Sequence, residues 1–256
     1  MHNIFCQQLP SPPDAEHPTQ LSTASKPYLY LLSHASKALI KQAESEVSAS
    51  SAAGFPLGRV VILLLLHGHA ALGEIVFARF NKKCPWVIPY YPVRQPDQPR
   101  EDYEKSTGRG SDESVQEYIA RMNGILTLYF AILQTPLTSV VPLLPYQATK
   151  EHLAALIPPA LRFPAAWTWL AHAMRDPLPK SPPIATMVRT WVEMLGAEAI
   201  RVYGKTQVMK VFEVIMREGV ETGKVAGDSE SARQQLGMLL SSSDTLTHPA
   251  ARVWET

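Results

Sequence analysis

The chain has 256 residues, of which 46% are hydrophobic and 18% charged, enough apolar material for a sizeable core. A formal net charge of +1 excludes a global pull toward nucleic acid or anionic membrane. Two cysteines, Cys6 and Cys84, exclude a disulfide framework and favour a reducing compartment.

Residues 1–27 hold Pro10, Pro12, Pro13 and Pro18 among Ser, Thr and Gln, and read as a disordered Pro-rich tail. They lack the charged and apolar regions of a signal peptide, so a soluble intracellular protein is expected. From Tyr28 the pattern changes: Leu32, Ala35, Leu39, Ala43 and Val47 recur at spacings of three and four, which predicts a helix to about Ala52 that Gly54-Phe55-Pro56 ends. Leu57 to Phe80 is apolar nearly throughout. Its longest apolar run, Val60 to Leu66, falls far short of the ~20 residues of a membrane span. Val60 to Ile62 would also fit a buried strand, but Leu63 to Leu66 form helices well and no alternation appears, so two helices meeting near Gly68 are expected.

Residues 89–114, with four prolines and two glycines among charged residues, read as a long loop. A helix from Ser114 to Gln134 follows, with Ser114 and Glu117 spaced as a capping box. Beyond Pro136, prolines punctuate short helices at 149–157, 165–175, 184–198, 205–217 and 230–241. The fold class expected over 28–256 is all-α, a stack of antiparallel helices.

Enzyme and metal signatures are missing: no Gly-rich phosphate loop, no His-Glu-x-x-His and no Cys-x-x-Cys occurs. His67 and His69 read as structural, Glu101, Asp102 and Glu104 as a solvated charge mix, and Trp167 and Trp169 as packing residues. Neither catalytic nor metal-binding residues are predicted.

What remains is a charge asymmetry. Lys26 to Arg94 holds eight Lys and Arg against three Glu, and the rest of the chain is net −4. Arg79, Lys82 and Lys83 share a helix end, which suits cations. Lys37 and Lys41 form another pair four residues apart with no acidic partner at that spacing. Like charges so placed cost a few tenths of a kcal/mol. A multivalent phosphate would reverse that cost, although lysine pairs are common on helices and spacing alone favours solvated faces that never meet.

Ala78-Arg79-Phe80-Asn81-Lys82-Lys83-Cys84-Pro85-Trp86-Val87-Ile88-Pro89-Tyr90-Tyr91-Pro92 resembles the lysine-lysine-cysteine-proline signature of the Gle-one mRNA export factors. Ser36 to Val47 is similar to that family's first core helix, Tyr118 to Tyr129 to its arginine-methionine-glycine helix, and Ala166 to Ala171 adds a weaker match. The resemblance covers about residues 28–254. It implies a HEAT-like helical domain related to the middle domain of translation initiation scaffolds, and a non-catalytic role at the cytoplasmic face of the nuclear pore. It further implies that Lys37, Lys41, Arg79, Lys82 and Lys83 bind inositol hexakisphosphate, and that a DEAD-box RNA helicase is stimulated. A small FG-type nucleoporin is a further implied partner, and translation initiation or termination factors are others; direct nucleic-acid binding is not expected. Family members carry a longer N-terminal region, so the domain is expected to lack its first helices here, along with one basic ligand. Two alternatives are an RNA-binding helical scaffold, which needs a longer basic track, and a phosphate-handling enzyme, for which Glu74 is the one carboxylate near the lysines on their helix.

Overall fold

A computed structural model describes residues 25–144, 146 and 149–252. The tail reading of residues 1–27 falls largely outside them, and its last two residues already belong to the first helix. The architecture is all-α, with no strand among the described residues. Helix α1 spans Lys26–Gln42 and runs on through a π-helical turn, Ala43–Val47. There follow α2 (Gly54–Leu66), α3 (Ala71–Lys83), α4 (Arg100–Ser106), α5 (Val115–Leu133), α6 (Leu137–Val140), α7 (Lys150–Ala155), α8 (Pro164–Ala173), α9 (Ile184–Tyr203), α10 (Lys205–Val214) and α11 (Glu230–Ser241). No single helix among them is long and apolar enough to cross a membrane.

Helix α9 runs on to Tyr203, past the expected 198, and α10 passes at Ile215 into a π-helical turn that ends at Val220. Two further differences are of kind. Gly54-Phe55-Pro56 starts α2 rather than merely stopping its predecessor, because proline is tolerated in a helix's first turn, where its N–H would be unsatisfied anyway. The Pro-rich stretch 89–114 contains α4, held by the Arg100–Glu104 and Lys105–Asp102 pairs. All three acids of the cluster, Glu101, Asp102 and Glu104, therefore lie on a helix.

Helix α5 organises the core. Its N-terminus is fixed by the expected box, in which Glu117 N donates to Ser114 Oγ and Ser114 N donates to the Glu117 carboxylate. From Gly124 to Leu133 every residue is buried. An all-round apolar helix must be covered on every side. Here α2, the π turn and α9 supply the main cover. The approach is closest at Gly124, where an added Cβ would sit 2.3 Å from the Ala43 carbonyl oxygen, and at Gly58, where one would sit 3.0 Å from the Ala131 backbone.

Helices α1 and α3 run side by side in the same direction. Tyr28 Oη lies 2.8 Å from His69 Nδ1 near their starts, and Arg79 reaches Ser36 near their ends. Intervening α2 must therefore carry the chain back between them. Gly68, at φ 90°, turns the chain after α2.

The last described residues close the structure. Glu198 on α9 is buried, with Arg201 at 2.6 Å, Arg252 at 2.7 Å and His248 at 3.0 Å. Arg59 of α2 donates to the Ala251 carbonyl at 2.8 Å. Burial alone would raise the Glu198 carboxyl, but Arg201, His248 and Arg252 outweigh it and hold the group below its ordinary range.

Two stability outcomes are expected. Gly124→Ala should cost about 1–3 kcal/mol by overpacking against Ala43, read as a lower urea midpoint. Because the folded carboxyl of Glu198 is depressed, its contribution is present at neutral pH and lost as pH falls through the folded value. Glu198→Gln should therefore destabilise by ~2–4 kcal/mol at neutral pH and flatten the loss of stability below about pH 4, in thermal unfolding across pH.

Candidate anion-binding site

Arg79 joins the two predicted basic helices. Its Nε donates to Ser36 Oγ at 2.7 Å, and its Nη2 donates to Ser33 Oγ at 2.8 Å and the Ser33 carbonyl at 3.2 Å. Ser36 is buried, so a charged fork is clamped against α1 by acceptors that water cannot easily replace. The partners across this contact are separated by 41 to 46 positions in sequence. That offset sets Lys37 level with residues 78–83, and Lys41 level with 82–87. The ends of α1 and α3 thus bring Lys37 and Lys41 to the height of Lys82 and Lys83.

All four lysines are exposed, and none of their ammonium groups pairs with an acid among the described residues. The three acids of the basic segment stand apart or are occupied: Glu44 faces Arg121 at 3.9 Å, Glu46 lies beyond Lys41 on the π turn, and Glu74 is about 140° round α3 from Arg79. Lys82 and Lys83 occupy the C-terminal turn of α3, whose unpaired carbonyls favour positive charge.

The segment after them is anchored. Cys84 is extended before Pro85, as a residue preceding proline prefers to be. Its buried thiol, pushed up to about 12 by burial, points its Sγ at the Met122 carbonyl of α5 at 3.5 Å. Trp86 is fully buried edge-on to Tyr118, and its carbonyl accepts from Trp169 Nε1 at 2.8 Å. Trp167 packs against Trp191 and Tyr203, and His69 is buried beside Tyr28, so these side chains serve packing.

The structure thereby gives Arg79 a different task from its lysine neighbours. Much of its donor capacity is committed to α1, so it positions the face, while the lysines present free charge. Ser33 and Ser36 were not singled out from sequence. The only trace of them there is a pair of small hydroxyls three apart on a helix flank.

A family model described as GLE1-like protein matches residues 1–216. The chain belongs to the GLE1-like family. The match starts ahead of Tyr28 and ends before the Glu198-bound segment. Among relatives, the chain is similar to mRNA export factor GLE1 of Danio rerio, 29% identical over 210 residues that make up 80% of this chain and 27% of that protein. It is similar to mRNA export factor gle1 of Schizosaccharomyces pombe, 30% identical over 183 residues, 70% of this chain and 34% of that one. The chain thus spans about a quarter to a third of these relatives' length. Its fold is similar to that of a chain in a solved structure described as the S. cerevisiae Dbp5 L327V C-terminal domain bound to Gle1 and IP6, with a TM-score of 0.64 at 23% identity over 89% of this chain and 72% of that one.

The two kinds of cation should separate on substitution. Arg79→Ala removes a clamp and should lower stability by about 1–3 kcal/mol, since Ser36 is left buried without its donor. Lys82→Ala and Lys83→Ala, on exposed side chains, should shift stability by less than about 0.5 kcal/mol. Thermal unfolding of the three variants compares them.

Proposed function

We propose that this domain binds inositol hexakisphosphate on the shared face of α1 and α3, and through it docks and activates a DEAD-box RNA helicase in messenger RNA export. The observation that carries this reading is the set of four exposed lysines, without acidic partners, on two helix ends clamped together by Arg79. A structure that locks like charges together gains from a ligand of opposite charge. Family membership supports the export role, and the likeness to a Gle1 complex containing IP6 and Dbp5 supports the ligand and the helicase.

In this mechanism Lys37, Lys41, Lys82 and Lys83 neutralise part of the inositol phosphate from one side. The remaining negative charge is available to a second basic surface on the helicase, so two proteins that would repel are held together. The helical stack is a rigid support for that contact and is not itself a catalyst. The place of action would be the cytoplasmic face of the nuclear pore, with the nucleus and cytoplasm on either side. A small FG-type nucleoporin and translation factors are further partners on the same reading.

Isothermal calorimetry with inositol hexakisphosphate tests it. Lys82→Glu/Lys83→Glu should weaken binding about ten- to hundredfold while leaving thermal stability near that of the parent. Undiminished affinity in a folded variant overturns the site.

A further inference from the structure

The linker between α8 and α9 reads Lys180-Ser181-Pro182-Pro183. A serine or threonine directly before proline is the pattern that proline-directed protein kinases read. Proline has no N–H, so a pocket that offers that position no acceptor admits it and penalises other residues. Three such dipeptides occur in the chain: Ser11-Pro12, Thr135-Pro136 and Ser181-Pro182. The first lies outside the described residues. Thr135 closes α5, its N donating to the Ile132 carbonyl at 3.2 Å and its Oγ1 to the Ala131 carbonyl at 2.8 Å, so it is folded into the end of the core helix.

Ser181 differs. It is half-buried, and Lys180 and Pro182 on either side of it are exposed. Its backbone, at φ −79° and ψ 145°, is already extended, as a residue before proline prefers and as a kinase groove requires. Its hydroxyl makes a local bond, donating to the Leu178 carbonyl at 2.6 Å. Below it the linker is fixed: Leu178 and Pro179 are buried, and the Pro179 carbonyl accepts from Ala226 N at 2.8 Å. Lys180, Lys210 and Lys224 line the cavity beside this linker, against Asp176 and Glu218, so added negative charge falls where cations are in excess.

We propose that Ser181 is a phosphorylation site for a proline-directed serine kinase, and that its phosphate steadies the start of α9. In the transfer, Ser181 Oγ attacks the γ-phosphorus of ATP and the bond to the β-phosphate oxygen breaks. ADP leaves, and the hydroxyl proton passes to the kinase's catalytic carboxylate. The product carries about two negative charges. It loses the bond to Leu178. It also stands two residues before Pro183, where α9 begins with neither a capping side chain nor an acid in its first turn. A phosphate there offsets the positive end of the helix. The inference is independent of the lysine face of α1 and α3.

The full chain carrying Ser11→Ala is incubated with ATP and a proline-directed kinase, beside a synthetic peptide of residues 174–188, and the phosphate is located by tandem mass spectrometry. Ser181 in the chain should be modified within about tenfold of the peptide's rate, because an extended surface linker needs little local opening. Thr135 should stay unmodified, and Pro182→Ala in the peptide should remove most of the reaction. A peptide that is modified while Ser181 in the chain is not shows that the fold shields the serine and overturns the site. A peptide that is not modified overturns it too. The phosphorylated chain should melt about 1–4 °C above Ser181→Ala in the same background, which lacks the same hydroxyl donor, and the gain should shrink in high salt. A phosphorylated chain that melts at or below Ser181→Ala overturns the effect on α9.

Discussion

The constraint on which the rest depends is the burial of α5. A helix apolar around its whole circumference from Gly124 to Leu133 has no stable position except at the centre of other helices. Its two closest contacts dictate what surrounds it. At Gly124 the π turn after α1 lays the Ala43 carbonyl where any side chain would stand, and at Gly58 α2 comes within touching distance of the Ala131 backbone. With those approaches fixed, α1 and α2 have their courses set. The segment after α3 is then anchored from the same helix, through Cys84 on the Met122 carbonyl and Trp86 against Tyr118. The lysines thus stand at the end of a chain of contacts that begins in the core, which is why an exposed face can have a definite geometry.

Much of this was legible in the sequence. Ser114 and Glu117 announced the start of α5, because a capping box is a local device written in four residues. The prolines after Pro136 marked breaks for the same reason. The π turn Ala43–Val47 was not legible, since one extra residue in a turn leaves the apolar spacing nearly intact and is selected by the distant Gly124. Helix α4 was hidden by surrounding prolines, although its Arg100–Glu104 pair at i,i+4 carried the signal. Of the candidate site, the lysine pairs were visible as spacing. The clamp of Arg79 onto Ser33 and Ser36 was not, because partners 43 and 46 residues apart have no shared local pattern.

Arg79 and the lysines illustrate how one composition serves two purposes. A guanidinium, planar and many-donored, suits a site where several oxygens must be held at fixed angles. An ammonium on a flexible stem suits an exposed position where a ligand's outline is not matched atom for atom. Arg79 sits half-buried between helices and the lysines sit in solvent, in keeping with that difference. Three bonds from one guanidinium to Ser33 and Ser36 need the planar fork that an ammonium lacks.

The contacts of Glu198 with Arg252 and of Arg59 with the Ala251 carbonyl have a consequence for biosynthesis. They join residues made early, on α2, and in the later part of the chain, on α9, to a turn that leaves the ribosome last among those described. Helices α1 to α9 can pack as they emerge, but the charge cluster on α9 lacks Arg252 until translation has reached that codon. Final consolidation of the stack is therefore a late step: until the segment that carries Arg252 is free to fold back onto α9, the earlier helices can pack while the clasp on Glu198 stays open.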